Sequence, residues 1–250
     1  MFDVGDFIFS YDIISAYHHI EIFEEHEQYL DLAWFFEGKI RYFVFAVLSF
    51  GISTTGYIFS KVLREVVKDF RSKGKRIIMF LDDGLSGEND YDTAVKSSRE
   101  VNDQLQNLGI LIAHDKCHWS PCQKLDWLGY TWDTENGIIF VKEERIQKLE
   151  NCFTYALCQV EQGKILFRVR FLASIVGQLI SMYAVIRDTV RQSTIFLYDC
   201  ALGRASWQAC VRLTQDVLTE LSFWDKHCKI LNSKGYEIST MTVNKVTPQM

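Results

Sequence analysis

Paired cysteine spacing, a secretory leader, an apolar run of membrane length and a net positive charge are all missing from this 250-residue sequence. The seven cysteines, at positions 117, 122, 152, 158, 200, 210 and 228, lack the pattern of a disulfide framework, so reduced thiols in an intracellular compartment, cytoplasm or nucleus, are expected. His114, Cys117, His118 and Cys122 have types and spacing that suit zinc. The usual second cysteine pair is missing, however, and Trp119 with Pro121 reads as a packed turn. The uncharged run from Phe171 to Ile186 contains Gln178, is bracketed by Arg170 and Arg187, and falls short of the roughly 20 residues a membrane span needs. It reads as a buried helix, and no membrane partner is expected.

A formal net charge of −5 counts against nucleic-acid binding when averaged over the chain. The cations are nevertheless clustered. Lys61, Arg64, Lys68, Arg71, Lys73, Lys75 and Arg76 stand against only Glu65 and Asp69, and Arg168, Arg170, Arg187, Arg191, Arg204 and Arg212 fall in the later half. Such patches supply phosphate contacts, or else are solvated helix faces.

Hydrophobic residues make up 48% of the chain and aromatics 14%, enough for a large core in one large or two small domains. The most informative stretch is Phe80-Leu81-Asp82-Asp83, two adjacent carboxylates at the end of the apolar run that starts at Ile77, followed by Gly84. That pattern reads as a buried strand opening a hairpin. Two anions ~4 Å apart repel by roughly 1 kcal/mol in water and about 4 kcal/mol at an effective dielectric of 20. A hard cation compensates such a pair well, since Mg²⁺ takes one or two carboxylates plus substrate phosphates. An isolated Asp-Asp pair is more often a solvated turn. Here a third carboxylate, Asp12, also sits near the end of a strand-like run, Phe7 to Ile13.

The remaining pattern predicts a strand from Arg41 to Val47 after a polar connection at Glu24-Glu25-His26-Glu27. An amphipathic helix over 54–71 is capped by Ser53 or Thr54 and ended by Gly74. A second helix, over 91–108, stops at Gly109. Short strands around Trp127–Tyr130 and Ile138–Val141 flank the hairpin signal Asn136-Gly137. From Lys142 onward the pattern is helical, with breaks at Gly163, Gly203 and Asn232. The expected fold class is α/β (α+β): a mixed or antiparallel sheet with helices over residues 1–141, then a helical region over 142–250.

Five ordered blocks carry a resemblance: Asp12-Ile13-Ile14-Ser15-Ala16-Tyr17-His18-His19-Ile20, Leu48-Ser49-Phe50-Gly51-Ile52-Ser53-Thr54, Phe80-Leu81-Asp82-Asp83, Lys116-Cys117 and Trp127-Leu128-Gly129-Tyr130. In order and spacing they resemble the palm motifs of retroelement reverse transcriptases. Ser15 to His19, Tyr57 to Leu63, Arg71-Ser72-Lys73-Gly74 and Glu220 to Trp224 look most like the tyrosine-recombinase retrotransposons of the DIRS type. The family commonly has Pro where Ser49 stands, Ala-Pro where Thr55-Gly56 stand, and Tyr where Phe80 stands.

The resemblance implies a palm followed by a thumb- or connection-like region, with the opening of the fingers and the RNase H domain missing. It implies RNA-directed DNA polymerisation by two Mg²⁺ ions, with Mn²⁺ as a substitute, held by Asp12, Asp82, Asp83 and the carbonyl of Ile13. Lys116 would protonate the leaving pyrophosphate, or is a plain surface lysine. Tyr17 would be a steric gate, or ordinary core packing. Phe50 and Gly51 would contact the incoming nucleotide, and Trp127, Leu128, Gly129 and Tyr130 would grip the primer. The implied partners are an RNA or DNA template with primer, deoxynucleoside triphosphates and other parts of a retroelement polyprotein. Lys61, Arg64, Lys68 and Arg71 are the candidate template contacts. His18 and His19 are expected to be structural, because adjacent strand residues point to opposite faces. Another palm-type nucleotidyltransferase, or a degenerate remnant that only binds nucleic acid, would keep the same carboxylates.

Overall fold

In the computed structural model, which describes residues 2–202 and 206–241, the chain divides into two compact units, Met1–Gln123 and Lys124–Met250. The first runs β1 (Phe7–Asp12), a 3-10 turn (Ala16–His19), α1 (Glu24–Glu27), β2 (Asp31–Phe36), β3 (Lys39–Val44), α2 (Thr55–Ser72), β4 (Arg76–Phe80), β5 (Asp83–Glu88), α3 (Tyr91–Asn107) and β6 (His118–Cys122). Its main sheet is antiparallel, in the order β4-β5-β1-β6. Strand β1 is inside on both faces, which accounts for its lack of polar alternation. Phe9, Tyr11 and Ile13 pack with Phe59, Leu63, Val67 and Phe70 of α2 and with Val101 and Leu105 of α3. Each such side chain contributes roughly 1.5–3 kcal/mol on burial, so the carboxylate-bearing strand ends stand on the buried core of this unit.

Both long helices fall where their periodicity predicts, and Gly74 and Gly109 adopt left-handed φ values of +81° and +76° just beyond them. The start of α2 differs from expectation. Thr54 makes no capping bond with its side chain, and the Thr55 hydroxyl instead donates to the Ser49 carbonyl at 2.8 Å. Ile58 and Val62 stay exposed on its outer side. The predicted strand over Arg41–Val47 is found as β3, and β2, hidden in a nearly unbroken apolar run, is its partner. The polar connection at Glu24 forms the single helical turn α1.

The second unit holds β7 (Lys124–Trp127), β8 (Tyr130–Asp133), β9 (Ile138–Val141), α4 (Glu143–Glu161), β10 (Leu166–Arg168), α5 (Val169–Ile180), α6 (Tyr183–Ile186), α7 (Asp188–Gln192), α8 (Ile195–Leu202), β11 (Cys210–Arg212), α9 (Gln215–Lys234) and β12 (Tyr236–Glu237). Compactness divides the chain after Gln123 rather than near Val141, because the short strands join the helices by side-chain and backbone bonds. The sheet order is β12-β9-β8-β7. The Asn232 amide accepts from the Val141 N–H at 2.8 Å and donates to the Val141 carbonyl at 3.0 Å. Asn232 is therefore a buried clamp inside α9 and not a helix break. Gly163 does follow the end of α4, with φ +79°, while Gly203 lies outside the described residues. The uncharged run from Phe171 forms most of α5 and all of α6, interrupted at Ser181-Met182. No described helix is long and apolar enough to cross a membrane.

Candidate active site

The hairpin between β4 and β5 turns one step earlier than the sequence suggests. Phe80 pairs with Asp83, so Leu81 and Asp82 form the two-residue turn and Asp83 opens β5. Leu81 takes the left-handed φ of +53° that the first residue of such a turn requires. For a leucine this conformation costs roughly 1–2 kcal/mol. Gly84, expected at the turn, lies inside β5 directly opposite Tyr11. A Cβ at Gly84 would stand 2.1 Å from the Tyr11 ring, so only glycine lets that ring lie across the strand. The far side of the ring stacks on Trp119 at 5.4 Å, with the planes 3° apart.

This packing sets the two strands in register one residue before the acids. Asp12 faces Asp83 as its cross-strand partner, and the Ile13 N–H donates to the Asp82 carbonyl at 3.0 Å. The carboxylates of two strand ends and one turn are thereby brought together. Burial first, and then the charge of Asp82, push the Asp12 carboxyl above the usual range, offset in part by Lys116. Asp83 is raised in the same direction by burial and by the neighbouring charges of Asp82 and Asp12. The Lys116 ammonium stands 3.7 Å from Asp12 and is largely exposed.

A set of hard oxygen donors only partly compensated by Lys116 suits a divalent cation completed by substrate oxygens. Among the described residues no three His, Cys, Asp or Glu form a ready-made metal group, and the three carboxylates as they stand are no exception. Nor do His114, Cys117, His118 and Cys122 form such a group. The Cys117 sulfur instead accepts the Asp12 N–H at 3.3 Å, behind the acid.

A cleft of about 430 Å³ opens in front, lined by Asp12, Ile13, Tyr17, Phe50, Asp82 and Lys116 among others. Asp115, which sequence reasoning passed over, also lines it. Its one signal was adjacency to Lys116. The Tyr17 ring is half-buried, 5.1 Å from Phe50 and edge-on to Phe59 at 5.4 Å, so it serves the core and the cleft wall together. Phe50 is exposed, and Gly51 turns the chain at φ +88°.

His18 and His19 lie in the 3-10 turn rather than a strand. His19 Nε2 accepts from the Leu111 N–H at 2.9 Å, which leaves Nδ1 to donate to the Ala16 carbonyl at 3.1 Å, a bracing role. Of the α2 cations, Lys68 pairs with Glu65 at 2.7 Å and Arg71 donates to the Ile77 carbonyl at 2.9 Å, tying α2 to β4. Lys61, over the Tyr57 ring, and Arg64 remain exposed without an ion pair among the described residues.

In the second unit, Trp127, Leu128, Gly129 and Tyr130 form the β7–β8 hairpin tip. Leu128 and Gly129 are both left-handed, at φ +51° and +76°. Arg145 donates to the Gly129 carbonyl at 2.9 Å and lies over the Tyr130 ring. The tip is rigidly braced.

The fold has known counterparts. Two solved structures share the fold: a foamy viral protease-reverse transcriptase in complex with double-stranded DNA (TM-score 0.66, 15% identity, 93% of this chain) and the foamy viral protease-reverse transcriptase in complex with an RNA/DNA hybrid (TM-score 0.67, 15% identity, 90% of this chain). This chain spans 36% and 27% of those two chains. No curated protein matches the sequence. The family model described as reverse transcriptase (RNA-dependent DNA polymerase) matches residues 5–132, just over half of the chain and all five motif blocks, and the chain belongs to that family.

Proposed function

We propose that this chain is the palm and following helical region of an RNA-directed DNA polymerase, part of a retroelement polyprotein. The observation that carries the reading is that Asp12 and Asp82 line one cleft with Tyr17, Phe50 and Lys116, while Asp83 is the cross-strand partner of Asp12. Asp12, Asp82 and the Ile13 carbonyl would hold two Mg²⁺ (or Mn²⁺) ions, with Asp83 supporting from β5. Bound there, the cations would lower the pKa of a primer hydroxyl and neutralise triphosphate charge. Lys116, 3.7 Å from Asp12 at the cleft, would protonate the leaving pyrophosphate. The Tyr17 ring closes the space of a ribose 2′-hydroxyl, and Phe50 and Gly51 receive the nucleotide. Lys61 and Arg64, and Lys68 once its exposed and weak pair with Glu65 yields, are the α2 cations that would meet template phosphates, and the braced β7–β8 tip would hold the primer.

Primer extension on an RNA template tests this. Extension with deoxynucleotides should be abolished by Asp12→Asn and by Asp82→Asn, whereas Tyr17→Ala should raise the ratio of ribo- to deoxynucleotide incorporation. Extension that survives Asp82→Asn would remove the two-metal reading, and an unchanged ratio would remove the gate.

A further inference from the structure

Among the described residues strands β2 and β3 pair only with each other, and nearly every side chain of the hairpin is exposed. A two-stranded ribbon is marginal alone, and an exposed apolar patch of this kind marks an interaction site. The register separates its two faces. Trp34 pairs with Arg41, Phe36 with Lys39 and Leu32 with Phe43, so one face carries three aromatic rings and two cations. The opposite face pairs Phe35 with Ile40, Ala33 with Tyr42 and Asp31 with Val44, and carries no cation.

On the first face the Arg41 guanidinium lies 5.2 Å over the Phe36 ring, confirming that rings and charges interleave. Arg41 also meets Glu37 at the turn, at 3.0 Å. Both groups are more than half exposed, so the pair is weak and yields to a stronger anion. Lys39 has no ion pair among the described residues. Trp34 is 62% exposed and Phe43 48%. Flat rings spaced along a strand with cations between them match the needs of unpaired bases and their phosphates.

The root of the hairpin fixes where such a strand would run. The chain enters from the turn that carries Tyr17 and leaves toward Phe50. Glu21 bridges Val47, and the Leu48 N–H donates to the Ile20 carbonyl. The hairpin therefore springs from the wall of the cleft that holds Asp12. We propose that the Trp34, Phe36 and Phe43 face, with Lys39 and Arg41, is a stacking platform for the single-stranded template before it enters that cleft. This inference rests on the polymerase reading and adds a residue-level partner to it.

The test measures affinity for a labelled primer–template whose 5′ template overhang is either absent or about six nucleotides, within the roughly 4–16 nucleotides that a single-strand-binding OB fold engages. Wild type should bind the overhang substrate more tightly. Trp34→Ala should remove roughly 5- to 100-fold of that gain, and Trp34→Phe should restore most of it. Lys39→Ala with Arg41→Ala should flatten the salt dependence of the gain by about 0.7 per lost phosphate contact. Phe35→Ser, on the cation-free face, should leave the gain intact. Duplex binding with no overhang gain, or a gain indifferent to Trp34→Ala, overturns the proposal alone. A gain lost equally in Phe35→Ser also overturns it and assigns the hairpin to protein packing. Failure of wild type to bind even the blunt duplex overturns the polymerase reading beneath it.

Discussion

Asp83 costs the folded chain stability whenever its charge is uncompensated. Its carboxyl and that of Asp12 are raised, chiefly by burial and next by neighbouring charges. Both therefore bind protons more tightly folded than unfolded. Stability consequently falls as pH rises from the ordinary Asp value of about 3.9 through the raised ones, and the loss is complete above them. Other acids work the other way. Hydrogen bonds from Lys73 and Thr93 hold Asp69 and Asp90 below the usual range, so the raw pH profile mixes both trends. The difference isolates the site: without divalent cations, Asp83→Asn should melt higher than wild type, by a margin that widens from pH 4 toward neutrality and then levels off. Thermal melts in chelator check this, and a margin constant with pH would show that Asp83 carries no excess charge cost. The placing of the acids at strand ends was legible in the sequence, because Asp12 and the Asp82-Asp83 pair each follow an apolar run. The turn was not, because Gly84 drew it one step late while Leu81 took the left-handed position.

At the scale of elements, β1 and β5 are held in register by the Tyr11 ring lying on Gly84. That contact is expensive in one respect: the Tyr11 hydroxyl is buried without a hydrogen-bond partner among the described residues, and burial pushes its pKa up. Tyr11→Phe keeps the ring and deletes the orphan, and should stabilise the chain by roughly 1–3 kcal/mol. Gly84→Ala forces the ring aside and should destabilise it by roughly 1–3 kcal/mol. Urea midpoints with unchanged m-values measure both, and a destabilising Tyr11→Phe would mean that the hydroxyl has a partner. Helices α2 and α3 were readable from their 3.6-residue period and closing glycines. The pairing of Tyr11 with Gly84 and the strand β2 were not, because cross-strand contacts have no local periodic signature and β2 is apolar on both faces. Asn232 misled for a related reason: an amide that reads as a helix break is spent on the Val141 backbone 91 residues away.

At the scale of the whole molecule, sequence order fixed the family, since five short blocks in one succession are far more specific than any of them. The division into units was less legible, because the hairpins after Gln123 look like a continuation of the first sheet until β9 pairs with β12. The account turns on one property of the assembled chain: three acids that repel each other without cations should take up cations when primer, template and nucleotide are present. The measurement is the number of Mn²⁺ ions bound per chain, by electron paramagnetic resonance, with primer–template and a non-hydrolysable deoxynucleotide. Two ions in wild type, with at least one lost in Asp12→Asn and in Asp82→Asn, is the predicted result. Equal Mn²⁺ occupancy in wild type and both variants would contradict it.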